Sequence, residues 1–453
     1  MEFNEVCKTI ISLRWEKEYE KALELFRKEI HEKVKPQSIS GIPKLVNAIA
    51  DSLRETGKIP NAIRFIEDYL GITISQDTDM SIVRNVAWLY YFALKPQKPL
   101  IDISADKTDD RINRLLDELV RVGEQKVFEL IFYRYLELLA KQTPTLVQQA
   151  DTLLEKFVPT QFTIDSQVFT TTIKGKSKEV EMASGYEKWF MWRTKIDYSL
   201  GNYQRCIDIC KQALSEVNRF HYGNQHWLAR RIALSYKQTG DIPQAIHELE
   251  KLLKHRNEWF IQKELAELYF LNSNLDTAIK LTNLAFVNSG YCEYKAGLFE
   301  LMGDILMAKG DSVNALRLFQ LTQAVRKSKG WPISQTLQSK LGNHAQYESN
   351  DPTLIYKDLL KATPSNELPT QQVKHGTGKV TRILHPGENG DGFITDTEGL
   401  SVYFRFCNCR IPWNQLHEGV EVGFAAKEVD RKGKKSWQAV KVFELSKQTS
   451  GKK

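Results

Sequence analysis

The sequence predicts a multidomain α + β protein, in which an all-α superhelical solenoid precedes a small five-stranded antiparallel β-barrel. Three observations predict this fold class. A turn-and-helix unit recurs along most of the chain, short alternating strands fill its C-terminal part, and the net positive charge concentrates in that same part. The length of 453 residues also exceeds one ordinary domain, so two or three folded units are expected.

The recurring unit combines a helix end, a tight turn and a helix start. Residues 54–63 read RETGKIPNAI and residues 237–246 read KQTGDIPQAI. Gly57 and Gly240 suit the left-handed conformation that closes one helix, and the proline that follows each suits the first turn of the next. The turn positions 201, 240, 273 and 310 are 39, 33 and 37 residues apart. This spacing is near the period of about 34 residues that is typical of helix-turn-helix repeats.

With a small residue five places after each turn, this pattern resembles the tetratricopeptide (TPR) family. That family also has a small residue near the centre of each first helix and an aromatic residue three places later. Ala233 with Tyr236 and Ala266 with Tyr269 match this pattern. The resemblance is clearest over residues 186–326, which we take as the best-phased repeats.

The whole TPR-like array is predicted to cover residues 1–345. A further unit is expected at the N-terminus, where residues 19–26 match the second-helix pattern. Residues 79–156 have amphipathic helical stretches that do not fall into a repeat phase. Residues 159–182 contain a β-branched run, QVFTTTI, followed by a turn, and predict a β-hairpin inserted into the solenoid.

Stacked helix pairs form a superhelix, and its concave surface suits a peptide or a partner protein. The array is therefore interpreted as a scaffold that docks a protein. Most of its aromatic residues are interpreted as core. The residues that the repeat phase predicts to face the groove are Lys195, Arg230, Lys237 and Lys263.

A second folded domain is predicted after a segment rich in Asn, Pro, Thr and Gln. Residues 346–374 read as a cap followed by a linker. The domain itself covers residues 375–447 and is followed by a basic tail at 448–453. Five strands are predicted in it, at residues 379–384, 392–395, 400–406, 420–429 and 436–445. Five short strands with Gly-rich turns suit a closed barrel of the oligonucleotide-binding (OB) type.

The same segment resembles the cold-shock domain. The motifs that carry the resemblance are GKV at 378–380, GDGFI at 390–394, VYFRF at 402–406, LHEGVEV at 416–422 and QAVKV at 438–442. In that family, aromatic residues on the second and third strands stack on unpaired bases, while basic residues follow the backbone. The resemblance implies that the barrel binds single-stranded nucleic acid, with RNA favoured over DNA.

Carried over position by position, the resemblance implies stacking by Phe393, Tyr403, Phe406 and Trp413, with Lys379 at a basic position. Strand alternation places Tyr403 on the outer face of the barrel together with Arg405. A second phosphate-binding edge is predicted in a basic loop and the aromatic residue after it, which comprise Arg431, Lys432, Lys434, Lys435 and Trp437.

Several positions depart from the cold-shock pattern. Arg382 stands in place of an aromatic residue and Arg405 in place of a histidine, and both guanidinium planes can stack and add charge. Asp391 replaces an aromatic residue and Asn389 replaces a lysine. Because Asp391 should repel phosphate, we expect weaker or differently ordered binding than in a typical cold-shock domain.

The charge distribution is consistent with this reading. From Pro369 to the end there are 14 Lys and Arg against 9 Asp and Glu, so this part carries +5 of the total net charge of +7. A local basic excess attracts polyanions because each neutralised phosphate releases counterions. The alternative is a solvated surface that only aids solubility.

The sequence contains no recognisable catalytic constellation, and we expect no enzyme, cofactor or metal. His247-Glu248 is followed by Lys251 where a zinc-protease helix needs a second histidine, and the six cysteines form no set of zinc ligands. The longest apolar run, at 86–94, is far shorter than the ~20 residues that span a bilayer. We therefore expect a cytoplasmic protein without membrane contact. Two alternatives remain open: a scaffold that binds only proteins, and a nuclease or nuclease subunit.

Overall fold

The computed structural model describes most of the chain. The described residues are 2–141, 143–173, 176–288, 290–342, the single residues Pro352, Tyr356 and Leu359, and then 373–385, 390–406, 409, 411, 415–431 and 434–445. The chain forms two compact units, Met1–Ser235 and Tyr236–Lys453.

Unit 1 consists of helices and one β-hairpin. Its elements are α1 (Phe3–Trp15), α2 (Tyr19–Phe26) with a π-helical turn Arg27–His31, α3 (Pro36–Ser40), α4 (Pro43–Glu55), α5 (Ile59–Arg64) with a second π-helical turn Phe65–Tyr69, α6 (Met80–Ala93), α7 (Asp106–Arg121), α8 (Gln125–Leu139), α9 (Pro144–Lys156), a 3-10 turn Pro159–Gln161, β1 (Gln167–Ile173), β2 (Lys176–Met182), α10 (Gly185–Ser199) and α11 (Tyr203–Glu216). The boundary with unit 2 falls within α12 (Asn224–Thr239).

The helices of unit 1 pack as consecutive pairs. α1 packs on α2, α4 on α5, α6 on α7, α8 on α9 and α10 on α11. The first helices of the first four pairs also pack on one another, α1 on α4, α4 on α6 and α6 on α8, whereas α10 packs on α9. This is a TPR-like helical array, as predicted. Residues 79–156, which the sequence pattern does not phase, contain two of the pairs.

The turns between paired helices have a common local structure. Gly57, Gly201, Gly240 and Gly310 have φ angles of 76°, 80°, 85° and 88°, and Ser273 has φ 59° at the same place. The residue after the turn often accepts a hydrogen bond from the first turn of the next helix. The Asp241, Asn274 and Asp311 side chains each accept from the backbone N–H three residues later. A left-handed residue followed by an Asp or Asn cap thus ends one helix and starts the next.

The inserted hairpin stands between α9 and α10. Strands β1 and β2 pair antiparallel from Gln167↔Met182 to Ile173↔Lys176. They form a sheet of only two strands among the described residues. Val168 and Phe169 on β1 are exposed.

The helical part of unit 2 continues the pairing. Its helices are α13 (Ile242–Leu253), α14 (Trp259–Leu271), α15 (Leu275–Val287), α16 (Ala296–Ala308), α17 (Ser312–Ser328) and α18 (Gln335–Leu341). α14 packs on α15, and α16 packs on α17. Gly303 in α16 faces the Phe319 ring of α17 so closely that a Cβ there would clash with the ring, which explains the small residue at this repeat position.

The C-terminal part of unit 2 is a closed five-stranded barrel. Its strands are β3 (Val373–His385), β4 (Asp391–Asp396), β5 (Ser401–Arg405), β6 (Glu421–Arg431) and β7 (Lys434–Glu444). They follow one another around the barrel in the order β3-β4-β5-β7-β6. The pairs are antiparallel except β5 and β7, which pair parallel at Val402↔Trp437 and Tyr403↔Gln438. The prediction of an all-antiparallel barrel is therefore wrong at the pair that joins β5 to β7.

The barrel core is apolar and continuous. It is built from the inward residues of every strand and comprises Val380, Ile394, Val402, Phe404, Phe406, Ile411, Leu416, Val422, Phe424, Ala426, Ala439 and Val442. Since successive residues of a strand point to opposite faces, the residues that alternate with these point outward, except at the register shift between Ala425 and Ala426.

Candidate nucleic-acid interface

Two aromatic rings form a pair on the outer surface of the barrel. Phe393 on β4 and Tyr403 on β5 are directly opposed in the strand register. Their ring centroids are 5.6 Å apart with an interplanar angle of 64°, an edge-to-face contact. Their neighbours Ile394, Val402 and Phe404 are fully buried, whereas both rings are half-buried. The outward side of the pair is therefore open to solvent.

Asp391 accepts a hydrogen bond from the tyrosine of this pair. The Tyr403 hydroxyl donates to Asp391 Oδ2 at 2.6 Å, and His385 Nδ1 lies 2.7 Å from Asp391 Oδ1. Burial alone would raise the pKa of Asp391, but the hydrogen bonds from Tyr403 and His385 and the charge of Arg405 hold this pKa below its usual value. The carboxylate is thus charged and bonded to two neighbours, and it fixes the orientation of the ring.

Arg405 completes this set of contacts. Its Nε lies 3.3 Å from the Tyr403 hydroxyl oxygen, and the residue is exposed. Burial and the hydrogen bond to Asp391 raise the pKa of Tyr403. The phenol therefore stays neutral, and the net charge around the rings depends on Asp391, Arg405 and their basic neighbours.

The basic neighbours lie on β3. The register between β3 and β4 shifts between Val380 and Arg382, and both Thr381 and Arg382 are exposed at this irregularity. Arg382 is paired in register with Phe393, so its side chain starts beside the ring pair. Lys379 Nζ lies 3.4 Å from Glu421 Oε1, and both side chains are more than 60% exposed, at 64% and 62%. Such an exposed ion pair is weak, so Lys379 can exchange it for a phosphate.

Two glycines allow β3 and β4 to approach each other here. A Cβ on Gly392 would clash with the Arg382 carbonyl oxygen, and a Cβ on Gly390 would clash with the His385 carbonyl oxygen and the Phe406 ring. The GDG segment thus brings Asp391 within reach of His385 on the neighbouring strand.

Two aromatic residues predicted to bind nucleic acid, Phe406 and Trp437, pack against the barrel core. Phe406 is only 6% exposed and packs edge-to-face on Phe404 in the barrel core, with ring centroids 5.6 Å apart. It is therefore a core residue and offers no stacking surface. Trp437 is half-buried and packs against the same core from β7.

The remaining barrel candidates lie outside the residues or side chains that the structure describes. Trp413, Lys432 and Asn389 are outside the described residues. The backbones of Arg431, Lys434 and Lys435 belong to the β6–β7 hairpin, where Arg431 pairs with Lys434 and Asp430 with Lys435. The side chains of these basic residues are not described. Their role in binding stays a prediction.

Of the four residues predicted to face the groove of the array, two lie near aromatic rings and two lie near the same carboxylate. In unit 1, Lys195 Nζ lies 4.6 Å from the centroid of the Trp192 ring, and the Arg230 guanidinium lies 5.9 Å from that of Trp227. In unit 2, Lys237 Nζ lies 2.6 Å from Glu267 Oε1 and Lys263 Nζ lies 3.9 Å from Glu267 Oε2. Lys237 and Lys263 thus share one carboxylate.

Sequence reasoning missed the contact between His385 and Asp391. His385 lies in β3 and Asp391 opens β4, six residues later, and they are paired in register. The available signal was the GDG segment, whose small residues indicate a close approach of two strands.

Two other kinds of site are absent from the described part of the chain. No group of three or more His, Cys, Asp or Glu side chains there is placed to hold a metal ion. No described helix is both long and apolar enough to cross a membrane.

Comparison with known proteins finds similar solved structures, two of which are described as TPR or TPR-like repeats. Nearly identical TPR-like repeats from Podosopora anserina share 16% identity over 47% of this chain and 97% of theirs, with a TM-score of 0.34. A tetratricopeptide repeat protein from Parabacteroides merdae shares 15% identity over 75% of this chain and 96% of its own, with a TM-score of 0.29. The pilF protein of Pseudomonas aeruginosa shares 12% identity over 66% of this chain and 95% of its own, also with a TM-score of 0.29. No protein-family model and no curated protein matches the sequence.

Proposed function

We propose that this protein is a non-enzymatic adaptor in the cytoplasm. In this proposal its C-terminal barrel binds single-stranded nucleic acid, with RNA favoured, and its helical array docks a protein partner. The observation that carries the proposal is the half-buried ring pair Phe393–Tyr403, flanked by the exposed Arg382 and Arg405 on the outer surface of the barrel. Unpaired bases stack on aromatic rings, and arginine planes next to such rings add charge and stacking surface.

The strand order supports assigning the barrel to the OB type. Numbered within the barrel, the strands follow the closed order 1-2-3-5-4, and the third and fifth strands pair parallel. A partly open or closed five-stranded barrel that presents its second and third strands is typical of OB folds that bind oligonucleotides. The ring pair lies on the second and third strands.

The binding site is tested by removing both rings from the full-length chain. We expect Phe393→Ala with Tyr403→Ala to weaken binding of a labelled oligouridylate at least about tenfold, since each stacked base contributes roughly 1–3 kcal/mol. Fluorescence polarisation measures the affinity. Ultraviolet crosslinking with peptide mapping should show the loss of crosslinks to β4 and β5 in the variant.

The matched control is Tyr403→Phe, which removes the hydroxyl and keeps the ring. If stacking carries the interaction, this variant binds within about twofold of the original chain, because the base still meets a flat aromatic face. Unchanged affinity and unchanged crosslinks in the double alanine variant would refute the barrel site.

The second candidate function is a scaffold that binds only proteins. The paired helices of both units favour it, because arrays of this kind present extended binding surfaces. Charge reversal at Lys237 and Lys263, which share Glu267, should release a partner that docks on this surface. Affinity purification of the full chain and of the variant compares the partners retained, and a chain that retains proteins but binds no oligonucleotide would favour the scaffold.

A further inference from the structure

One face of unit 1 carries basic and aromatic side chains in alternation. In α10, Lys188, Trp192 and Lys195 are spaced i, i+4 and i+7, which places them on one side of the helix. Lys195 Nζ lies 4.6 Å from the centroid of the Trp192 ring. Lys188 Nζ lies 5.9 Å from the centroid of Tyr133 on the neighbouring α8.

The alternation extends to both neighbouring helices. The Arg134 guanidinium on α8 lies 3.4 Å from the centroid of Tyr91 on α6. Arg231 Nη1 on α12 donates to Thr194 Oγ1 of α10 at 2.6 Å and lies 3.5 Å from the Met191 carbonyl oxygen. We call the set Tyr133, Arg134, Lys188, Trp192, Lys195 and Arg231 the basic-aromatic face.

The cations of this face lack carboxylate partners. Among the residues that the structure describes, Arg134, Lys188, Lys195 and Arg231 have no Asp or Glu oxygen within ion-pair distance, although ion pairs are numerous elsewhere in unit 1. Glu137, a carboxylate that acts on Lys195 electrostatically, forms an ion pair with Lys141. Burial and the like charges of Arg231 and Lys141 lower the pKa of Lys195. The positive charge here is therefore crowded, and Glu137 compensates it only in part.

We propose that the basic-aromatic face binds single-stranded nucleic acid, with phosphates on Lys188 and Lys195 and a base against the partly exposed Trp192 ring. Tyr133 and Arg231 are more buried and contact α10 at Gly185 and Thr194. This goes beyond the proposed function, which places nucleic acid on the barrel, and it assigns Lys195 a nucleic-acid ligand. Charge complementarity favours a polyanion, because cations that form no ion pair gain most from phosphates that release counterions. The interleaved rings favour nucleic acid over an acidic peptide, since bases supply flat faces for stacking and carboxylates do not.

The test uses the full chain with its barrel site removed by Phe393→Ala and Tyr403→Ala. This background should retain measurable binding of a labelled oligouridylate in fluorescence polarisation. Adding Lys188→Glu and Lys195→Glu should weaken that binding at least about tenfold. The slope of log affinity against log salt should also flatten by about 1.4, or roughly 0.7 for each lost phosphate contact on a single strand.

The matched control reverses two exposed lysines elsewhere in unit 1, Lys8 in α1 and Lys28 in the π-helical turn after α2. Lys8→Glu with Lys28→Glu makes the same change in net charge and should leave the affinity within about twofold, because distant charges are screened. Circular dichroism checks the helix content of each variant. If the charge reversals on α10 unfold unit 1, Lys188→Gln with Lys195→Gln removes the charges more gently and gives the same test.

Three results would overturn the inference. The first is that the full chain with Phe393→Ala and Tyr403→Ala no longer binds the oligonucleotide. The second is an equal loss of affinity in the control and in the α10 variant. The third is displacement of the oligonucleotide by an equimolar polyglutamate peptide, which would identify an acidic protein segment as the occupant. If instead the two barrel substitutions change nothing while those on α10 do, the barrel site fails and this inference stands.

Discussion

At the scale of single residues, strand alternation was the most reliable guide to the site. It places Tyr403 and Arg405 outward and Val402 and Phe404 inward, as the structure has them. The same rule assigns Phe406 to the inner face, where it is buried, whereas the family resemblance had made it a stacking residue. A resemblance supplies residue types at matched positions, but the direction of a side chain follows from the local backbone.

Asp391 is the residue whose role changed most. The sequence predicts a charge that repels phosphate, and the structure adds hydrogen bonds to Tyr403 and His385. Asp391 therefore both weakens the attraction for a polyanion and orients a ring that a base would meet. These two effects oppose each other, so a substitution can separate them.

We predict that Asp391→Asn strengthens oligonucleotide binding about twofold at low salt. The amide oxygen can still accept from the Tyr403 hydroxyl, while one negative charge disappears. For a phosphate at an assumed separation of about 8 Å, the lost repulsion is roughly 0.5 kcal/mol in water. Polarisation at low and high salt measures the effect, which should vanish when salt screens it. Glu444→Gln at the end of β7 removes the same charge as a control, and an equal gain there would contradict a local effect.

At the scale of elements, the turns between paired helices follow from local chemistry. Gly240 has φ 85° and the next residue, Asp241, caps α13 through its side chain. Ser273 takes φ 59° without the freedom of glycine, and Asn274 caps α15 in the same way. The turn is thus recognisable from sequence even where glycine is replaced, because the Asn or Asp cap remains.

A buried carboxyl joins three elements near the second π-helical turn. Glu67 Oε1 and Oε2 each accept from the Tyr90 hydroxyl of α6 at 3.1 Å, and Arg111 Nη1 of α7 lies 3.0 Å from Oε2. Burial raises the pKa of Glu67 to about 7, although Arg111 and Tyr90 act to lower it. A raised acid pKa means that the folded chain binds a proton more tightly than the unfolded chain, so stability falls as pH rises from about 4.5 towards 7.

We predict that Glu67→Gln stabilises the protein near pH 8 by about 2 kcal/mol and has little effect near pH 5, where Glu67 is already protonated. Thermal denaturation at both pH values measures the difference. The contrasting variant is Asp68→Asn, because hydrogen bonds from Lys107 and Arg111 lower the pKa of Asp68. Removing the Asp68 charge should lower the stability of the folded protein at neutral pH and have a smaller effect in acid. Equal pH profiles of stability for the two variants would contradict this assignment.

At the scale of the whole molecule, charge is distributed unevenly along the chain. The part from Pro369 onward carries +5 of the net +7. In unit 1, cations that form no ion pair lie close together on the basic-aromatic face, even though the charge of the array as a whole is small. Net charge thus identifies the barrel as basic but does not identify the second basic surface. That surface is recognised only from the ion-pair partners of its cations.

We predict that oligonucleotide binding by the intact chain falls about fiftyfold between about 50 and 200 mM salt, as expected for roughly four phosphate contacts on a single strand. Polarisation titrations across this range give the slope. A peptide nucleic acid of the same base sequence has no phosphates, so its binding should change little with salt. Salt-independent binding of the oligonucleotide would contradict a phosphate-based interface.

The sequence by itself determined the features that depend on neighbouring residues. Helix pairs, the glycine turns at 57 and 240, the strands of the barrel and the outward direction of Tyr403 all follow from local periodicity and turn chemistry. These features are encoded within a few residues, so they can be predicted without knowing what packs against them.

Only the tertiary structure decided the features that depend on contacts between distant residues. It showed helix pairs within 79–156, the parallel pairing of β5 with β7, and the approach of Arg231 to the α10 residues near Lys195. Whether a cation has a carboxylate, a ring or nothing beside it depends on which elements pack together. A periodic pattern specifies the face of a helix or strand but leaves its partner open, and in this chain the partner decides which charges remain available to bind.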